Sequence, residues 1–122
     1  MGMIYAQQEP TMTTLDPGDG HAVLINTFHV APERAEELLA LLVRATDETM
    51  RFRKGFVSAN LHVSDDRTRV VNYAQWASRE DFNAMLADPQ ARVHMQETRA
   101  VAISVDPVIC ELRYSEAAET VS

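Results

Sequence analysis

The run AVLINTFHV, Ala22 to Val30, is apolar and β-branched over the length of a strand, and predicts a buried first strand. Pro32 then sits at the favoured first position of a helix, with Glu33, Glu36 and Glu37 near its positive end. Ala35, Leu38, Leu39, Leu42 and Ala45 recur at spacings of three and four, which places one apolar stripe against a sheet. Gly55 supplies the stop, after Arg51, Arg53 and Lys54. FVSANLHVS, Phe56 to Ser64, alternates: Val57, Ala59, Leu61 and Val63 fall on one face, Ser58, Asn60 and His62 on the other. A turn at Asp65-Asp66-Arg67-Thr68 leads into RVVNYAQW, Arg69 to Trp76, a third strand whose second face carries Val70, Asn72, Ala74 and Trp76.

Ser78 can cap a short helix, with Asp81 in the place of the capping-box acid. Asp88-Pro89 restarts a helix to about Ala102, and VDPVICELRY, Val105 to Tyr114, supplies a fourth strand. The order β-α-β-β-α-β defines an α+β, ferredoxin-like fold with an antiparallel sheet and helices on one face. The other face also needs cover. The apolar side of the second strand, Val57, Ala59 and Leu61, predicts a sheet-to-sheet homodimer, a dimeric α+β barrel. Residues 1–20, punctuated by Pro10, Pro17, Gly18 and Gly20, read as an arm, 21–115 as the domain and 116–122 as a tail.

At 122 residues the chain fits one domain, and 46% hydrophobic with 24% charged residues is the composition of a globular protein. A net charge of -7 without a basic patch excludes a nucleic-acid backbone as the expected partner. No apolar run approaches the roughly 20 residues of a membrane span, and the amino terminus lacks a secretion signal, so the expected location is cytoplasmic with no membrane partner. Cys110, in the apolar pattern PVICEL, reads as a buried, inert thiol.

His21, His29, His62 and His94 are scattered without the spacing of a ligand set, so no metal site is expected. There is no phosphate-binding glycine loop and no G-x-S-x-G elbow. What remains is a polar group on strands that should bury apolar residues: Asn60, His62, Asn72 and Trp76. With Asp66-Arg67-Thr68 as a three-residue loop, His62 would face Asn72 and Asn60 would face Ala74, giving one pocket wall. Trp76 would then lie about 13 Å along the strand from Asn72, at ~3.3 Å per residue, a span that suits a flat multi-ring ligand.

The run VVNYAQWASREDF, preceded by LHVSDDRTR with a histidine ten residues before its asparagine, resembles the signature of the antibiotic biosynthesis monooxygenase family, especially its anthrone oxygenases. The resemblance implies a homodimeric enzyme that uses O2 to convert an aromatic, anthrone-like polyketide into a quinone, without metal, flavin or haem. It places catalysis on Asn72 and Trp76, with His62 also in the pocket, where an imidazole is the side chain best suited to moving a proton near neutral pH. Phe82 stands where the family has a tyrosine. A family arginine on the last helix lacks an obvious counterpart; Arg92 and Arg99 lie nearest, and Arg92 is taken as the substrate contact. Haem-degrading relatives offer a second resemblance, since Asn26 and His94 stand where those proteins ligate or flank haem, while Met85 replaces their tryptophan. The expected substrate contacts are therefore Phe82, Asn60, Asn26, Met85, Arg92 and His94. A non-oxidative cyclase or binding module of the same fold is the third reading.

Overall fold

A computed structural model of the chain describes residues 12–119; part of the arm and the end of the tail expected from the sequence lie outside them. Four strands and three α-helices follow the expected order: β1 (Ala22–His29), α1 (Ala35–Glu48), β2 (Phe56–Val63), β3 (Arg69–Trp76), α2 (Arg79–Leu86), α3 (Pro89–Val101) and β4 (Ser104–Cys110). The strands form one antiparallel sheet in the order β2-β3-β1-β4. Short 3-10 turns, Pro32–Arg34 and Met50–Phe52, flank α1.

Local chemistry fixes the helix ends. The Ser78 hydroxyl accepts from the Asp81 N–H at 3.1 Å, and the Asp88 carboxylate accepts from the Ala91 N–H at 2.9 Å with Pro89 just behind it. Gly55 turns the chain into β2 with a φ of +83°, and a Cβ there would collide with the Asp81 side chain. Gly55→Ala is therefore expected to destabilise the protein by more than the roughly 1–2 kcal/mol that a left-handed conformation costs an L-residue, read as a lower urea midpoint with an unchanged slope.

Directly paired residues share a sheet face, so the register decides what points at the helices. Ala22, Leu24, Asn26 and Phe28 pair with Trp76, Ala74, Asn72 and Val70, and Leu24, Asn26 and Phe28 pair on the other side with Ile109, Pro107 and Val105. From β2, Phe56, Ala59, Leu61 and Val63 complete this face. Pro107 is tolerated because β4 is an edge strand. The apolar residues form two clusters, one around Trp76, Phe82 and Met85, the other around Phe28, Leu38 and Val70.

This register corrects the expected one. His62 lies opposite Val71, Asn60 opposite Tyr73, and Leu61 opposite Asn72. The hairpin loop has four residues, closed by Ser64 N–H to Arg69 O at 2.9 Å. Asp66 holds it: its Oδ1 accepts from the Thr68 N–H (3.0 Å), the Thr68 hydroxyl (2.7 Å) and the Ser64 hydroxyl (2.8 Å). These bonds, the Thr68 hydroxyl foremost, lower the Asp66 pKa to about 2. One added loop residue moves β2 by one position and exchanges its faces, and a bulge between Phe56 and Ser58 lets Phe56 stay on the helix side with Ala59. Ala59 and Leu61 consequently face the helices and are not on the face expected to dimerise.

The opposite face carries Val23, Ile25 and Thr27 from β1, Ser58, Asn60 and His62 from β2, Val71, Tyr73 and Gln75 from β3, and Val108 and Cys110 from β4. Part of it is covered by residues 12–20, which form neither helix nor strand. Gln75 donates to Thr14 O at 2.9 Å, and the Thr13 hydroxyl donates to Asn60 Oδ1 at 3.0 Å. Burial, with smaller contributions from Asp19 and Cys110, raises the Tyr73 pKa. Cys110 is half-buried here, less enclosed than expected. The fourth strand stops at Cys110, short of Tyr114, because its partner β1 begins at Ala22. Among the described residues no helix is long and apolar enough to cross a membrane.

Candidate active site

Between the sheet and the helices lies a cavity of about 380 Å³. Its sheet wall is apolar except at one rung, where Asn26 and Asn72 pair across β1 and β3. Both side-chain Oδ1 atoms are buried and without a hydrogen-bond partner among the described residues. Leaving one buried polar atom unpaired costs about 1–3 kcal/mol. Two such amides lie on adjacent strands and line the same cavity, and buried polar groups of this kind ordinarily have partners.

One end of the cavity is aromatic. Trp76, 2% exposed, is flanked edge-on by Phe56 at 5.5 Å and Phe82 at 6.1 Å between ring centres. Met50, Met85 and Met95 pack around the same cluster. From α3, His94, Met95, Thr98 and Arg99 line the wall, the spacing of one helix face, and α1 adds Leu42, Ala45 and Thr46. Arg99, Leu86 and Pro107 are exposed as well as lining, which places the mouth between α3, the end of α2 and β4.

Of the residues expected from the sequence, Asn72, Trp76, Asn26, Phe82, Met85 and His94 line this cavity. His62 and Asn60 do not: both point to the far side of the sheet, where His62 is exposed and the Asn60 amide donates to Tyr73 O at 2.8 Å and to the Ser58 hydroxyl at 3.2 Å. Arg92 is also outside; it sits level with the end of α2, and its Nε donates to Leu86 O at 3.2 Å. The arginine of the cavity is Arg99, four residues after Met95 on the same helix, a spacing from which it could have been chosen.

His94 is the cavity's imidazole. Its Nε2 is 2.9 Å from the Thr49 hydroxyl, and its Nδ1 is 3.5 Å from Glu97 Oε1, too long for a hydrogen bond. Arg44 holds Glu97 through both carboxylate oxygens, at 3.1 and 3.0 Å. The Thr49 hydroxyl thus occupies Nε2, while Nδ1 is buried without a hydrogen-bond partner among the described residues. Among the described residues no group of three His, Cys, Asp or Glu is placed to hold a metal ion.

The site is thus an aromatic cavity on the helical side of a ferredoxin-like α+β fold, crossed by one rung of paired amides. The profile of the family "Antibiotic biosynthesis monooxygenase" matches residues 22–97, and this chain belongs to that family. It is 44% identical over 104 residues to tetracenomycin-F1 monooxygenase of Streptomyces glaucescens, covering 85% of this chain and 92% of that protein. The crystal structure of a monooxygenase from the gene ActVA-Orf6 of Streptomyces coelicolor, in complex with Nanaomycin D, superposes with a TM-score of 0.75 at 29% identity, over 85% of this chain and 96% of that one. SnoaB of Streptomyces nogalater, a cofactor-independent oxygenase, shares the fold with a TM-score of 0.63 at 23% identity, over 78% of this chain and 95% of that one. The chain is thus a monooxygenase, an oxidoreductase of the family.

Proposed function

We propose that this chain oxidises a polycyclic phenolic substrate of the anthrone type with O2, inserting one oxygen atom to give a quinone and releasing the other as water, without a bound cofactor. The observation that carries this reading is the Asn26–Asn72 rung, with two unpaired amide oxygens in an otherwise apolar cavity. An amide rotated about its last bond offers its N–H in place of its oxygen. The pair can therefore donate to a phenolic or enolate oxygen where negative charge develops. The flat rings would pack against Trp76, and the closed apolar wall would strengthen those bonds by excluding water. The substrate supplies the electrons, since its deprotonated ring system reduces O2 directly.

The proton leaving the ring carbon needs an acceptor. With His62 on the far side of the sheet, His94 is the titratable base of the wall, once its ring turns from Thr49. His94→Gln is expected to flatten the acid limb of the pH profile of kcat/KM, and His62→Ala to leave that limb in place. The opposite pattern would return the role to His62. Tight axial ligation of haem by His94 is disfavoured by the Thr49 hydroxyl held on its Nε2 and by Met85 in place of the tryptophan.

The catalytic unit is read as residues 21–115, acting as a homodimer through the far face of the sheet. Ile25, Val71 and Tyr73 are half-buried there and Val108 is 48% exposed, an apolar strip between polar neighbours. A stable monomer in sedimentation at micromolar concentration would remove the dimer from the reading. The deciding measurement for the chemistry is an oxygen-electrode trace with 1,8-dihydroxyanthrone. Chelator-treated protein is expected to consume O2 in step with quinone formation. Binding without O2 uptake would make the chain a cyclase or binding module, and uptake that needs added hemin would make it a haem enzyme.

A further inference from the structure

Met50, Met85 and Met95 come from three separate elements, the turn after α1, α2 and α3, yet all three line the cavity. They pack on the cluster that holds Trp76 and Phe82. The chain has six methionines, and the other three, Met1, Met3 and Met12, fall in the amino-terminal segment. A thioether fills irregular apolar space well, but it is also readily converted to the sulfoxide by peroxides. Met85 is 7% exposed and Met12 is 91% exposed. An oxidant in bulk solvent therefore meets Met12 first, whereas an oxidant made inside the cavity is already beside Met85.

We infer that the cavity methionines are sites of turnover-dependent self-oxidation, with an organic hydroperoxide formed on the bound substrate as the oxidant. This rests on the reading that O2 adds to the substrate in this cavity. The usual fate of such a hydroperoxide is loss of water to the quinone. In the competing step the sulfur lone pair attacks the distal peroxide oxygen, the O–O bond breaks and an S–O bond forms. The distal oxygen's proton passes to the proximal oxygen. The sulfur is oxidised to the sulfoxide and the hydroperoxide is reduced to the alcohol, so each sulfoxide is matched by one hydroxyanthrone in place of one quinone. The new S=O dipole then sits in an apolar cluster and degrades the fit of the rings. The enzyme accordingly has a finite number of turnovers.

Tryptic cleavage separates the candidates, because Met50, Met85 and Met95 fall in different peptides and Met1, Met3 and Met12 share another. The full chain is run to loss of activity with 1,8-dihydroxyanthrone in air, with catalase present to remove free hydrogen peroxide, and then mapped by mass. The expected result is a one-oxygen gain on at least one cavity peptide that grows with quinone formed, while the Met12 peptide stays unchanged. Resting protein treated with hydrogen peroxide should show the reverse order. The Met85→Leu variant and the triple leucine variant, which conserve volume, should outlast the parent in total turnovers. Quinone formation with unmodified cavity peptides, or equal oxidation of all methionine peptides, overturns this inference alone. No quinone formation overturns the oxygenase reading and this inference with it.

Discussion

Asn72→Ala is expected to lower the rate of O2-dependent quinone formation by about 100- to 1,000-fold, the usual cost of removing one donor aimed at developing negative charge. Asn26→Ala should show a loss of the same order, because the two amides pair across the sheet and face the same cavity. Neither change should cost stability in proportion. Each wild-type amide carries a buried oxygen without a partner, and removing an unsatisfied group relieves about 1–3 kcal/mol, against the packing lost with the side chain. The variants should therefore melt close to the wild-type temperature while activity falls. That divergence separates a functional rung from a structural one. The double variant is expected to lose less than the product of the single losses, since both amides serve one oxyanion. Two variants with unchanged quinone formation would show that the rung does not touch the chemistry.

The difference between the legible and the hidden parts of this site is a difference in range. Apolar runs and helix spacing are local, so the seven elements, the cap at Ser78 and the helix restart at Asp88-Pro89 could be read directly from the chain. Asn72, Ala74 and Trp76 alternate within one strand, and their common face follows from that strand alone. The face of β2 depends on two features that alternation does not contain: the loop length set by the hydrogen bonds of Asp66, and the bulge beside Val57. A one-residue error there sent His62 and Asn60 to the wrong side of the sheet.

Arg92 and Arg99 pose a different problem. Both lie on α3 within reach of the same side, and helix periodicity gives the face of a residue but not the neighbour at its level. The end of α2 supplies that neighbour, since the Leu86 carbonyl binds the Arg92 side chain and leaves Arg99 to the cavity. The pairing of Asn26 with Asn72 is likewise a property of the assembled sheet. Sequence reading found both residues but assigned them to separate arguments, one from the haem-degrading relatives and one from the monooxygenase motif.

Trp76 should carry the largest combined effect on stability and activity. It is 2% exposed, holds Phe56 and Phe82 edge-on, and closes the aromatic end of the cavity. Trp76→Ala removes that ring from a packed cluster and is expected to cost about 3–5 kcal/mol, a large share of the roughly 5–15 kcal/mol that holds a domain together. For a chain of this size the melting temperature should fall by roughly 10 to 20 °C. Activity in this variant would be lost for reasons of folding, so Trp76→Phe is the informative partner. Phenylalanine keeps an apolar ring between Phe56 and Phe82, and the stability loss should shrink while the indole N–H disappears. If Trp76 acts by packing against the substrate rings, Trp76→Phe raises KM with little change in kcat. If the N–H bonds to the substrate in the transition state, kcat and kcat/KM fall together with KM unchanged. A folded Trp76→Phe enzyme with both constants at wild-type values would leave Trp76 as the hydrophobic end wall alone and concentrate the chemistry on the asparagine rung.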